Sequence, residues 1–393
     1  MDNVKIVTIS SIFRSLSYST IWIFSSIYVT SILGMPVFFA AILFFVGGII
    51  SSASQVIGGK IGDTFGYRNT FVVSMGIISV MMLILSLSDS IKENFQNYFI
   101  FFVVLMALNS FQSPSSNSLV SNDSNVKLKG FSIIRIGNNV GWGLGPAIGG
   151  YIINSLGFGI LFTYCFDMSF VSFLLTFFVH SVQIKEERKI TFKTSNVSLI
   201  LLSVAALLLF TVQSQETVTL SIFSNRILDG NFTNIGLIYM TNGIFVILLQ
   251  PLMYRVSIKI GSYLSLLAGS FVYTFGYLSY GLDTNFLGLI ISTVFFTFGE
   301  DLAFPSGYAI VAEISRNDRI GINIGIYNAF MSMGRAFGPL LGGYALTKFS
   351  SSLAIWTIAT LPGFISCIVL IISLSTIEKY RKRFNVQKET ETT

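Results

Sequence analysis

Six ionisable residues, Arg14, Asp167, Glu216, Glu300, Asp301 and Arg335, fall inside long apolar runs of the chain. A charge at the centre of a bilayer costs at least about 2.5–3.5 kcal/mol on insertion scales, so it faces a partner or a water-filled cavity. The chemistry open to such a set is ion pairing and the uptake and release of protons as the surroundings of a carboxyl change. At a helical rise of 1.5 Å per residue, Arg14 lies about 13 Å, Glu300 about 20 Å and Arg335 about 22 Å from the charges that flank their runs, with Asp167 about 12 Å and Glu216 about 14 Å from the opposite ends. Glu300 and Asp301 are neighbours, about 100° apart on a helix, so at most one points along a given direction. Glu300 is the first choice as a proton-coupling carboxylate. A permanent structural ion pair with Arg335 is the competing account of the same residues.

Uncharged polar residues share those runs. Asn109, Gln112, Asn139, Gln213, Gln215, Asn242 and Asn328 are candidates to line a substrate cavity, or alternatively to hydrogen-bond helix to helix. Trp22, Tyr28, Phe38 and Tyr239 are candidates for an aromatic binding surface, or alternatively face lipid and neighbouring helices, as most aromatics of so aromatic a chain do. Cys165 and Cys367 both lie in apolar runs and offer no disulfide framework, and the single histidine, His180, leaves no His-rich metal set. No metal and no cofactor is expected. A nucleotide-binding loop of the Gly-x4-Gly-Lys-Ser/Thr type is absent, and no water-facing domain is long enough for an enzyme or a nucleic-acid binder.

The elements that must position these residues follow from composition. Of 393 residues, 52% are hydrophobic and 11% charged, against a soluble norm near 25% charged. With a mean hydropathy of +0.74, the solvent of this chain is a bilayer. The apolar runs are long and do not alternate, which makes them helices rather than barrel strands. Twelve spans are read, at 6–33, 37–58, 70–88, 97–119, 131–153, 160–181, 197–222, 232–254, 262–282, 286–311, 321–346 and 353–375. With the N-terminus inside, inner segments carry 18 Lys and Arg residues and outer loops only Lys92, Arg226 and Lys348, so both termini are expected in the cytoplasm.

The spans divide six and six. The reading gives an N-terminal half at 1–181, a cytoplasmic linker at 182–196, a C-terminal half at 197–375 and a basic tail at 376–393 that anchors to anionic headgroups. The halves repeat. Gly141-Trp142-Gly143-Leu144-Gly145-Pro146-Ala147-Ile148-Gly149-Gly150-Tyr151 matches Gly334-Arg335-Ala336-Phe337-Gly338-Pro339-Leu340-Leu341-Gly342-Gly343-Tyr344 at six of eleven positions, an offset of 193. Gly48, Ile49, Gln55 and Gly66 echo Gly243, Ile244, Gln250 and Gly261, and Pro114-Ser115 echoes Pro305-Ser306. Asn109 is the repeat counterpart of Glu300. An even number of helices separates the copies, so both have the same orientation, the parallel-repeat pattern of a large transporter class.

The segment Gly59-Lys60-Ile61-Gly62-Asp63-Thr64-Phe65-Gly66-Tyr67-Arg68 between spans two and three resembles the loop signature of the major facilitator superfamily. Gly59, Asp63, Gly66 and Arg68 match it, whereas Thr64 and Tyr67 stand where that family usually places basic residues. The resemblance covers nearly the whole chain and implies an all-α fold of twelve transmembrane helices in two pseudo-symmetric six-helix bundles. It further implies that this loop latches the halves in one state; a plain charged turn is the alternative. In that family the glycine-proline string in span five looks like the signature of proton-antiporting drug exporters; here span eleven carries it too, which is also what symmetric packing would produce. The function expected is secondary transport of a small molecule by alternating access, with the substrate site between the halves. The leading specific reading is proton-coupled efflux of amphipathic or drug-like compounds by a monomer in the cell membrane. A symporter or uniporter for a sugar or organic acid, and a sensor without flux, are the rival readings.

Overall fold

The computed structural model describes residues 3–121, 127–181, 197–315 and 319–391. The expected linker at 182–196 and Arg316 lie outside the described residues, and of the tail at 376–393 only the helical backbone through Glu391 is described. Within a bilayer every backbone polar group has to be satisfied inside the chain, and helices do this segment by segment. The first span forms α1 (Asn3–Ile27), closed by a π-helical turn at Tyr28–Ile32. After it come α2 (Val37–Phe65), α3 (Tyr67–Leu87), the short α4 (Asp89–Glu93), α5 (Phe95–Ser121) and α6 (Lys127–Thr176). The remainder comprises α7 (Val197–Gln213), α8 (Thr219–Ile227), α9 (Phe232–Ile260), α10 (Ser262–Ser279), α11 (Phe286–Glu313), α12 (Ile320–Lys348) and α13 (Ser352–Glu391). Among the described residues, eight helices are long and apolar enough to cross a membrane by length and composition alone.

Three boundaries differ from the sequence reading. Spans five and six run together as α6, interrupted only at Gly157, whose φ of +84° is a conformation that L side chains rarely adopt. Span two continues as helix through Phe65 instead of turning at Gly59, because Gly58 and Gly62 let α2 approach Phe111 and Ser115 of α5 too closely for any side chain between them. The turn waits until Gly66, at φ +89°. Span seven is broken by a 3-10 turn at Ser214–Glu216, where the Ser214 hydroxyl and the Gln215 amide both donate to the carbonyl of Thr211 and so satisfy it off the helical ladder.

Two compact units result, Met1–Glu187 with Glu216–Ile244, and Arg188–Gln215 with Phe245–Thr393. In the first, α1 lies along α6, α2 along α5, and α3 touches both α5 and α6. In the second, α7 lies along α12 and α13, and α10 along α11 and α13. Lipid tails are as apolar as leucine, so helices associate through close backbone approach and interhelical hydrogen bonds. The α1–α6 seam uses both. A Cβ on Gly137, Gly141, Gly145 or Gly149 would strike Thr8, Ser15, Ser19 or Thr20, in that order. Ser19 donates to the Gly141 carbonyl at 3.0 Å and Ser17 to the Cys165 carbonyl at 2.7 Å, and the Ser10 and Ser172 hydroxyls meet at 2.8 Å. The second unit repeats the arrangement between α7 and α12, where Gly334 meets Leu207 and Gly338 meets Ser214 and Thr211. Pro146, Gly150, Pro339, Gly342 and Gly343 are buried.

At the α10–α11 connection, Asp283 has one carboxylate oxygen buried without a hydrogen-bond donor. Burial pushes its carboxyl above the ordinary range, opposed by a hydrogen bond from Ser292. The folded state therefore favours the protonated form. Its contribution to stability is present below the unfolded carboxyl value, near about 4, and is lost as pH rises through the raised folded value. Thermal midpoints of Asp283→Asn and the parent chain in detergent should coincide near that lower bound, with the variant the more stable at neutral pH. A parent chain more stable than the variant at neutral pH contradicts this account.

Candidate functional site

In the first unit, Arg14 projects from α1 toward α5 and α6. Its Nη1 donates to Asn109 Oδ1 at 3.3 Å, and its Nη2 donates to Asn138 Oδ1 at 2.9 Å and to Ser15 Oγ at 3.4 Å. Ser15 also donates to Asn138 Oδ1, at 3.0 Å. Gln112, one turn along α5, is buried and donates to the Asn109 carbonyl at 3.0 Å. Beside this cluster stands an aromatic wall. The Tyr18 ring is 5.4 Å from Trp22 and 6.2 Å from Trp142, and Trp22 packs on Phe44 at 4.9 Å.

The second unit holds a cation against an aromatic ring. Arg335 lies over the Phe210 ring at 4.6 Å from its centroid, and its Nε donates to Gln213 Oε1 at 3.4 Å. Phe210 stacks on Phe304 of α11 at 4.7 Å, and Phe304 meets Tyr273 at 5.3 Å. Glu300 and Asp301 stand one turn before Phe304 on α11, Glu300 half-buried and Asp301 buried. In the repeat frame Trp142 and Arg335 occupy equivalent places. The first unit thus carries an aromatic on α6 and its arginine on α1, whereas the second carries Arg335 on α12 over Phe210 of α7.

The other sequence candidates are dispersed. Gln215 is fully buried, with its amide donating to the backbone carbonyls of Thr211 and Gly338. Asn328 is exposed and accepts from Tyr308 Oη at 2.8 Å. Asp167 is exposed on α6 and is not part of the Arg14 cluster. Glu216, Asn139 and Asn242 are half-buried, and the Glu216 carbonyl accepts from Tyr239 Oη at 2.6 Å. Sequence reasoning passed over Asn138 in favour of its neighbour Asn139. The available signal was phase: Asn138 follows Gly137 and precedes Gly141 on the face of α6 that packs on α1, whereas Asn139 is rotated about 100° away.

In the loop motif, Tyr67 Oη donates to Asp63 Oδ1. Arg68 donates from Nε to the Val179 carbonyl at 2.6 Å and from Nη2 to the Phe177 carbonyl at 3.2 Å. These are carbonyls just past the end of α6, where a cation is favoured by the helix dipole. Arg68 also lines an open cleft of ≈ 760 Å³ together with Asn69, Phe178 and His180.

A sequence profile of the Major Facilitator Superfamily matches residues 7–227 and again 204–392, nearly the whole chain in two copies. The chain belongs to the major facilitator superfamily. It is accordingly a multi-pass membrane transporter of small molecules and not an enzyme. Among curated facilitators it is 23% identical to the uncharacterised transporter YttB of Bacillus subtilis (strain 168), over 98% of this chain and 97% of the relative. It is 24% identical to Multidrug resistance protein 2 of the same organism, over 72% and 74%. Solved transporter structures share the fold. A structure from the proton dependent oligopeptide transporters covers 97% of this chain and 99% of its own, at 16% identity and a TM-score of 0.78. A point mutant of the nucleoside transporter NupG covers 95% and 99% at 13% identity and a TM-score of 0.75. At such identities the likeness carries the fold.

Proposed function

We propose that this facilitator is a proton-coupled exporter of amphipathic compounds, working by alternating access as a monomer in the cell membrane with both termini cytoplasmic. The observation that carries the reading is the pair Glu300 and Asp301, two carboxylates in the middle of α11 and one turn from the Phe304–Phe210–Arg335 stack. A carboxyl in an apolar, semi-enclosed setting exchanges its proton according to what faces it, which is what coupling requires. Likeness to Multidrug resistance protein 2 and, at 20% identity over 77% of the chain, to multidrug resistance protein MdtG of Salmonella supports efflux. The excess of cations in the inner segments supports the orientation.

The test is flux in proteoliposomes carrying a pH gradient, with a lipophilic cation, an aromatic carboxylate and a sugar as substrates. The parent protein should move at least one amphipathic compound against its gradient when protons run the other way. Glu300→Gln or Asp301→Asn should abolish the gradient-driven component while leaving downhill exchange. Unaltered gradient-driven transport in both variants discards the coupling assignment, and saturable sugar uptake with no amphipathic flux discards efflux.

A further inference from the structure

Arg14 combines three properties that together define a ligand site. It is a permanent cation, since a guanidinium does not lose its proton in a protein. It stands on α1 inside a membrane-spanning helix, and its partners are neutral: two asparagine amides and one serine hydroxyl. These hydrogen bonds go to none of the described acids of its own unit, which are Asp63, Asp89, Glu93, Asp167, Glu216 and Asp229. The three hydrogen bonds leave two of the five guanidinium N–H donors without an acceptor among the described residues.

The surroundings specify what would complete it. Asn109 and Asn138 turn their oxygens to Arg14, which fixes the plane of the guanidinium and leaves Nε–H and one Nη1–H as its remaining donors. A fixed guanidinium with a free N–H takes a carboxylate oxygen through a charge-assisted hydrogen bond, stronger than the bond any neutral acceptor makes. Tyr18, Trp22 and Trp142 stand alongside and, like Arg14 and Asn138, are part-exposed, so a ligand can reach them. Flat aromatic faces take an aromatic or broad apolar body.

We infer that Arg14 with Asn138 and the Tyr18–Trp22–Trp142 wall forms a binding site for small aromatic carboxylates. This deepens the export reading by naming its substrate class, and rests on it only for the direction of transport. The anion supplies the counter-charge that the first unit does not, and the wall buries the ring.

The reporter is built in. The chain has three tryptophans, Trp22, Trp142 and Trp356, and Trp356 is fully buried in the second unit. In the full-length Trp356→Phe protein, purified in detergent, emission comes from the two site tryptophans. Titration with 3-phenylpropanoate should change that emission saturably, and its neutral counterpart 3-phenylpropanamide should bind at least about tenfold more weakly, the loss expected for one charge-assisted contact. Arg14→Gln should remove the preference for the acid. Asn138→Asp, which places a carboxylate at 2.9 Å from Nη2 and keeps the arginine, should remove it as well. Equal affinity for acid and amide, or undiminished acid binding in Asn138→Asp, overturns the assignment. The assay uses no gradient, so acid binding without proton-driven flux overturns the export reading alone, whereas cation export without acid binding overturns this site alone.

Discussion

Gly145→Val should lower the stability of the protein by about 3 kcal/mol, at the upper end of what overpacking costs in a well-filled interior. The Cβ of residue 145 meets the Ser19 hydroxyl, the Leu16 carbonyl at 2.9 Å and the Thr20 hydroxyl at 3.1 Å. These oxygens are engaged in the bonds that hold α1, Thr20 to the Leu16 carbonyl and Ser19 to the Gly141 carbonyl, so none can swing aside cheaply. The whole of α1 has to move. Because Arg14 rides on the same helix less than two turns from Ser19, acid binding should weaken along with the thermal midpoint. Gly159→Val is the matched control, since a Cβ there meets nothing within 4 Å. Its midpoint should shift by less than a quarter as much. Equal shifts in the two variants would show that the seam tolerates side chains and that the glycines are there for another reason.

The second large effect has a different cause. Gly66 (φ 89°, ψ 134°) and Gly261 (φ 83°, ψ 156°) turn the chain between α2 and α3 and between α9 and α10. Both have open space where a Cβ would sit, so a substitution there meets no neighbour and costs only backbone strain. That strain is about 1–3 kcal/mol at each site. Ala and Leu should therefore cost the same at 66 and 261, in contrast to Gly145, where the cost should climb with side-chain size. Asn should bring no relief: it tolerates the left-handed helical region, where ψ is about +30 to +60°, and both observed ψ values lie far beyond it. Denaturation midpoints of the Ala, Asn and Leu series at each position measure this. A rise in cost with side-chain size at Gly66 would replace strain with crowding.

Much of this architecture was legible in the sequence. Apolar run length located the long helices, and the Gly66–Gly261 echo marked two positions that share an unusual backbone conformation. What periodicity could not supply was the point where a helix stops. Hydropathy ends near residue 58, but the helix runs to Phe65 because α5 offers Gly58 and Gly62 a place to pack, which is tertiary information. The candidate site was legible only by residue type. Arg14 and Asn109 are conspicuous as polar groups in apolar runs, while Asn138, Tyr18 and Trp142 join them through the angle at which α1 meets α6. Gln213 and Arg335 lie more than a hundred positions apart and are brought together by the repeat of that same crossing. Gln215, read either as a cavity residue or as a helix-to-helix hydrogen bonder, braces its own helix break and bonds the carbonyl of Gly338 on the neighbouring helix.

The hydroxyl-rich seam bears on how the protein is made. α1 buries Ser10, Ser11, Ser15, Ser17, Ser19, Thr20, Ser25 and Ser26, and it is not among the eight helices apolar enough to cross a membrane by composition. A helix of that kind gains little by partitioning into lipid alone. The α6 carbonyls that its hydroxyls bond and the small-residue groove that receives it do not exist until α6 has left the ribosome. Residence of α1 in the bilayer is therefore conditional early in synthesis and becomes secure only when its partner arrives, so the order of synthesis, and not hydropathy alone, governs when the first helix is committed.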